Sequence, residues 1–238
     1  MELSLVIPAY NEGAIIKDTV EAALTALSGK FDGFELIVVD DGSTDGTKEI
    51  LSQLSGSVTL ISCAGNRGKG FAVKTGMLAA RGDIVFFTDA DLAYGLDIIE
   101  TGAKLLGETG ADIVAGSRKL EKNGYAGYPA PRLIASKCFS LILRAVTGMK
   151  YDTQCGVKGF KKRAADEIFN SCETDGFSFD FEAMAFAQRH GYRIVEMPVK
   201  ILNHRDSRVS LARDGLRMLV EVAGIRRKMR RKDQFKWR

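Results

Sequence analysis

Residues 34–47 read FELIVVDDGSTDGT, and this stretch decides the architecture. Phe34 to Asp40 is a near-continuous apolar run rich in β-branched residues, the pattern of a strand covered on both faces. The run ends in Asp40-Asp41-Gly42, after which Ser43 or Thr44 is expected to cap a helix running toward Leu54. Strand, acidic turn and helix in that order form the unit that builds a parallel sheet, because parallel strands need a crossover between them.

The same unit recurs on either side. Leu3 to Pro8 reads as a strand, and Asn11 to Ser28 as a helix with Ile15, Ile16, Val20, Leu24 and Leu27 at helical spacing. Further strands are expected over Val58–Cys63, Asp83–Thr88 and Ala111–Gly116, with helices over Lys69–Arg81 and Leu96–Leu106 between them. The fold class is therefore α/β, with a mostly parallel central sheet between two helical layers. Beyond it the pattern loosens. A loop rich in Gly, Tyr and Pro spans 117–131, followed by an amphipathic helix from about Arg132 to Thr147. A strand is expected over Asp152–Phe160, helices near Arg163–Asn170 and Phe181–His190, and a last strand over Arg193–Val199. With no repeat or low-complexity linker, the simplest division is one domain over 1–225. It has a regular first half (1–116) and a less regular second half (117–225), and a basic tail follows (226–238).

The bulk properties narrow the function. A chain of 238 residues, 45% hydrophobic and 27% charged, can bury a sizeable core without disulfides or structural metal. A net charge of +4 is too small to argue for a nucleic-acid partner. Cysteines 63, 138, 155 and 172 form no C-x-x-C pair, which with two histidines offers no zinc site. Glu2 and Ser4 interrupt any apolar signal region, and no stretch approaches the roughly 20 apolar residues that span a bilayer. A cytoplasmic protein, free or peripheral at a membrane, is the expectation.

In a parallel sheet, ligands bind beyond the carboxyl ends of the strands. Those ends carry Pro8-Ala9-Tyr10-Asn11-Glu12, Asp40 to Thr47, Asn66-Arg67-Gly68-Lys69-Gly70 and Asp89-Ala90-Asp91. Helix capping would explain one or two such polar loops, but not four at one rim. Asp89 and Asp91, at i and i+2 after a strand, offer hard oxygen ligands to Mg²⁺ or Mn²⁺ completed by substrate phosphates. Neither G-x-G-x-x-G after the first strand nor a P-loop is present, so a dinucleotide or NTPase site is not indicated.

Together these loops resemble the family 2 glycosyltransferases of the GT-A fold, over nearly the whole chain. Within that family the chain is most similar to dolichyl- or polyprenyl-phosphate sugar transferases. That narrower likeness rests on Gly116-Ser117-Arg118, Pro131-Arg132, Ser136-Lys137 and Asp152-Thr153-Gln154-Cys155-Gly156-Val157-Lys158, the last run looking more like the glucosyl than the mannosyl branch. The resemblance implies a UDP-glucose or GDP-mannose donor, a lipid-phosphate acceptor and Mg²⁺ or Mn²⁺. It puts Pro8, Tyr10, Glu12, Asp40, Asp41, Lys69 and Asp89 around the nucleotide sugar, and Asp91 with Asp89 on the metal. Arg118, Arg132, Ser136 and Arg205 would hold phosphate, and Gln154 and Lys158 would face the sugar or the acceptor. Asp89, Asp91, Arg118 and Arg132 form the expected catalytic set. One departure is Ala93, where some lipid-phosphate mannosyltransferases carry a further polar metal ligand.

The acceptor sets the mechanism. A hydroxyl acceptor needs a general base, whereas a lipid phosphate is already an anion and needs positioning. An arginine-rich acceptor side fits the second case, with one in-line displacement that inverts the anomeric carbon. The alternatives are a family 2 transferase acting on a sugar, glycan or protein, with Asp152 as base, and a non-enzymatic nucleotide-sugar-binding scaffold. Residues Leu211 to Ile225 are amphipathic, and 226–238 hold eight Lys or Arg against Asp233. Such a segment suits anionic headgroups at the cytoplasmic leaflet.

Overall fold

A computed structural model describes residues 2–54, 56–125, 127, 133–134, 136, 140–141, 143–144, 148–203 and 213–232. Among the described residues seven strands are formed: β1 (Leu3–Ala9), β2 (Phe34–Asp40), β3 (Thr59–Ser62), β4 (Ile84–Phe87), β5 (Ile113–Ser117), β6 (Lys158–Lys161) and β7 (Ile194–Pro198). The helices are α1 (Ile16–Ser28), α2 (Thr47–Gln53), α3 (Lys69–Ala79), α4 (Asp97–Thr109), α5 (Lys162–Ser171), α6 (Phe179–Arg189) and α7 (Arg213–Lys232). They build one sheet of order β3-β2-β1-β4-β6-β5-β7.

Side chains alternate across the strands, and each face has its own core. Val6, Val39, Val85 and Phe87 pack with Val73 and Met77 of α3, Ile168 and Phe169 of α5, Met184 of α6, and Val222 and Ile225 of α7. Leu5, Ile7, Val38 and Phe86 pack on the other face with Ile16 and Val20 of α1, Leu51 of α2, and Ile99 and Leu106 of α4. Each such side chain, once buried, contributes roughly 1.5–3 kcal/mol.

Strands β1 to β4 pair in parallel, and the order reverses between β1 and β4, the usual ligand crevice of such sheets. Strand β6 alone runs against its neighbours, antiparallel to both β4 and β5. Its preceding loop therefore enters at the rim where β1, β2, β4 and β5 end. Strand β7, parallel to β5, ends at that rim too. With the end of β3, parallel to β2, seven segments distant in sequence thus meet along one edge.

Several elements differ from the sequence expectations. The strand expected over Asp152–Phe160 covers only Lys158–Lys161, and 152–157 is loop. The helix expected from Asn11 starts at Ile16, and the one expected after Ser43 or Thr44 starts at Thr47. The polar residues in both gaps have another use. The amide of Asn11 donates to Ser43 Oγ (2.9 Å), that of Glu12 to Thr47 Oγ1 (2.9 Å) and that of Gly13 to Asp45 Oδ2 (3.0 Å). Asn11, at φ 54°, accepts the amide of Thr44 on Oδ1 at 2.8 Å. These bonds stitch the first two rim loops together instead of capping helices. Most of the helix expected over 132–147 lies outside the described residues.

Candidate active site

Asp40 closes β2 with no exposed surface, and its Oδ1 accepts the amide of Ser43 at 3.1 Å. Its Oδ2 has no partner among the described residues, so one buried acceptor awaits a donor. The neighbouring Asp41 is engaged inside the fold: its carboxylate takes the amides of Arg67 (3.0 and 3.2 Å) and Gly68 (2.7 Å). Burial is the main force holding the Asp41 carboxyl above its usual range, against those two amides. Its geometry is that of a loop anchor, where the sequence suggested a second nucleotide contact. Gly42, at φ 74°, permits the closeness, since a side-chain carbon there would lie 2.4 Å from the backbone of Gly65. An open pocket lined by Cys63, Gly65, Asn66, Arg67 and Phe71 adjoins Asp40, whose carbonyl accepts the amide of Cys63 at 2.9 Å. Tyr10 is exposed at the rim, with Pro8 and Glu12 half-buried beside it.

Lys69, at the start of α3, places Nζ 2.5 Å from Asp89 Oδ1. Burial disfavours the lysine's charge, but Asp89 and the more distant Asp180 overcome it and raise its pKa. Asp91 accepts the amide of Ala93 on Oδ1 at 3.1 Å. Burial and then the charge of Asp89 push the Asp91 carboxyl above its usual range. Asp89 and Asp91 are hard-oxygen ligands whose mutual repulsion a cation would relieve, which fits a divalent ion. Among the described residues no group of three His, Cys, Asp or Glu closes a cage. A bound ion would therefore need oxygens from substrate and water. Asn203, past β7, donates from Nδ2 to the carbonyls of Asp91 and Leu92 (both 3.3 Å), and the amide of Leu202 donates to that of Ala93 (2.7 Å).

The loop before β6 supplies the other wall. A side-chain carbon on Gly156 would lie 2.1 Å from Asp89 Oδ2, so only glycine lets this loop close onto that carboxylate. Arg118, 4% exposed, pairs with Asp152 through Nε (2.9 Å) and Nη2 (2.8 Å), while its amide reaches Asp152 Oδ2 at 3.2 Å. Burial works against the ionised Asp152, but Arg118 outweighs it and holds the carboxyl below its usual range. Glu196 of β7 steadies the pair by accepting the Asp152 amide at 2.9 Å.

Lys158 corrects an expectation. It is completely buried, and Nζ donates to the carbonyls of Thr153 (3.1 Å) and Cys155 (2.7 Å) and to Asp180 Oδ1 (3.0 Å). With no exposed surface it faces neither sugar nor acceptor in this structure; it ties the 153–155 loop to α6. Gln154 is half-buried, and its Nε2 has no partner among the described residues. Ser136 is half-buried, while Arg132 and Arg205 lie outside the described residues. Sequence reasoning missed Asp180, Glu196 and Asn203. An acid in the first turn of a helix looks like a dipole partner, and nothing local separates that from a buried counter-ion.

The family described as Glycosyl transferase family 2 matches residues 4–169. Dolichyl-phosphate beta-glucosyltransferase of Saccharomyces cerevisiae is 32% identical over 94% of this chain and 74% of its own length. Glycosyltransferase AglD of Haloferax volcanii is 32% identical over 93% of this chain, which spans only 36% of that protein. Among solved structures, glucosyl-3-phosphoglycerate synthase from Mycobacterium tuberculosis, in complex with Mn²⁺, UDP-glucose and phosphoglyceric acid, superposes with a TM-score of 0.65. It covers 94% of this chain and 80% of that one at 23% identity, a likeness of fold. The matched span takes in β1 to β6 and every rim loop from Pro8 to Lys158, and on that ground the chain belongs to glycosyl transferase family 2, built on the GT-A fold.

Proposed function

We propose that this protein transfers a hexose from a nucleotide sugar, UDP-glucose before GDP-mannose, to a polyprenyl or dolichyl phosphate, inverting the anomeric centre. The names of the relatives support the donor and acceptor classes. The observation that carries the choice of acceptor is the Arg118–Asp152 pair. Asp152 is the carboxylate a hydroxyl acceptor would use as base, yet it is bidentately bound by Arg118 and its pKa is held below the usual range. A phosphate acceptor needs no base.

In this reading Asp40 Oδ2 receives a donor from the base or ribose, beside Tyr10, Pro8 and Glu12. Asp89 orients the sugar while Lys69 holds it in place. A divalent cation on Asp91, with Asp89 beside it, would neutralise the departing diphosphate. Asp152 fixes the plane of Arg118, which acts on the acceptor phosphate by directed N–H contact. Ser136, Gln154, Arg132 and Arg205 complete the acceptor side. The basic end of α7 and the residues after it attach the protein to an anionic leaflet, at about 1 kcal/mol per basic residue near the surface.

A panel of radiolabelled nucleotide sugars with Mg²⁺ or Mn²⁺ and a polyprenyl phosphate tests the proposal. Label is expected in the organic phase, with a β-linkage by NMR. Label transferred only to a soluble glycan, or an α-linked product, refutes it.

A further inference from the structure

Asp180 is the second residue of α6 and is 5% exposed, far from any surface role for an acid. It pairs with one lysine and lies in the field of a second. The first is Lys158, whose Nζ lies 3.0 Å from Asp180 Oδ1 and has no exposed surface. An ammonium so buried is tolerated only with a counter-charge and filled donor positions. Lys158 uses its remaining donors on the carbonyls of Thr153 and Cys155, the two residues flanking Gln154. Gly156 follows directly and abuts the carboxylate of Asp89. The second lysine, Lys69, makes its ion pair with Asp89, Nζ 2.5 Å from Oδ1, and feels the charge of Asp180 only at longer range. The segment before α6 grips the same turn: the carbonyl of Asp175 accepts the amide of Phe71 at 3.1 Å, and Asp175 Oδ2 pairs with Arg67 at 3.0 Å.

One chain of contacts therefore leads from Asp180 to Asp89, through Lys158 and the Gly156 loop, while Lys69 grips the same carboxylate directly. We propose that Asp180 is a positioning residue for the transfer: without touching the donor, it fixes the carboxylate of Asp89 through Lys158 and the Gly156 loop. The inference deepens the reading of Asp89 as the sugar-orienting group and rests on it. Asp40 and the pocket beside it lie outside this path. Losing Asp180 should thus slow turnover while leaving nucleotide affinity nearly unchanged.

The test uses the full chain, with Asp180→Asn and the double variant Lys158→Met/Asp180→Asn. The single variant leaves a buried ammonium without its counter-charge and is expected to melt at a lower temperature; the double removes both charges and should recover most of that loss. Release of nucleoside diphosphate is measured for each variant, with calorimetric titration of UDP. Release is counted whether the sugar goes to lipid phosphate, to another acceptor or to water, so an error about the acceptor does not disable the test. A folded double variant that binds UDP within threefold of wild type and releases product at least fivefold more slowly supports the proposal. Release within fivefold of wild type overturns it, as does activity returning in step with melting temperature. If UDP affinity falls in parallel with rate, Asp180 serves the whole fold and the proposal also fails.

Discussion

Asp91 and Gly156 show how much of the site hangs on single residues. Burial and the charge of Asp89 already raise the pKa of Asp91, so its ionised form is disfavoured in the fold without a cation. Asp91→Asn is therefore expected to abolish transfer without lowering the melting temperature of the cation-free protein, two quantities read on one preparation. Gly156→Ala should do the reverse of a core defect. Its methyl group would enter the space of Asp89 Oδ2, so turnover should fall at least tenfold while denaturant midpoints barely move. The aspartates were legible in the sequence because an acid directly after an apolar strand has few structural uses. Gly156 was visible as part of a motif, but its partner lies 67 positions away and only the pairing of β6 with β4 brings them together. Asp152 was readable as a functional carboxylate; that Arg118 holds it in a closed pair was not, since both lie in loops with no periodicity to fix their facing.

Among the elements, the strands were predictable to within a residue or two wherever burial on both faces made them continuous apolar runs, as in β1 and β2. The termini of α1 and α2 were not, because Asn11, Ser43, Asp45 and Thr47 bond between loops, an option that local capping rules do not weigh. At the opposite edge of the sheet, Glu35 of β2 accepts Ser4 Oγ of β1 (2.6 Å) and the amide of Arg81 (2.6 Å), while Ser4 Oγ accepts the amide of Gly82 (2.8 Å). Burial pushes the Glu35 carboxyl up, but Ser4 and Arg81 outweigh it and hold it below its usual range. A depressed carboxylate stabilises the fold above its unfolded pKa and loses that contribution as pH falls through the folded value. Glu35→Gln should accordingly cost about 1–3 kcal/mol at pH 7. In urea melts taken at successively lower pH, the gap to wild type should close below the ordinary glutamate range; a constant gap would exclude this role.

For the whole molecule, α7 joins two functions at its two ends. Met218, Val222 and Ile225 are buried against the body, so the amphipathic stretch expected over Leu211–Ile225 spends these apolar residues internally. Val220, 68% exposed, points away. Ile225→Ala should destabilise by about 2–5 kcal/mol. Removal of 226–238 should leave the core sound and abolish flotation with anionic vesicles; undiminished flotation would assign membrane contact elsewhere. Lys228 pairs with Glu173 at 2.6 Å, so the basic end is moored beside α5 even without a membrane. A wider consequence follows from the one strand that runs against its neighbours. Because β6 is reversed, the excursion from Arg118 to Val157 departs and returns on the same side of the molecule, as a drawer slides out and back through one opening. A descendant lineage could lengthen or exchange that drawer without disturbing β1, β2 or β4, and grafting it between relatives should carry over the choice of recipient while the choice of nucleotide stays with the recipient frame.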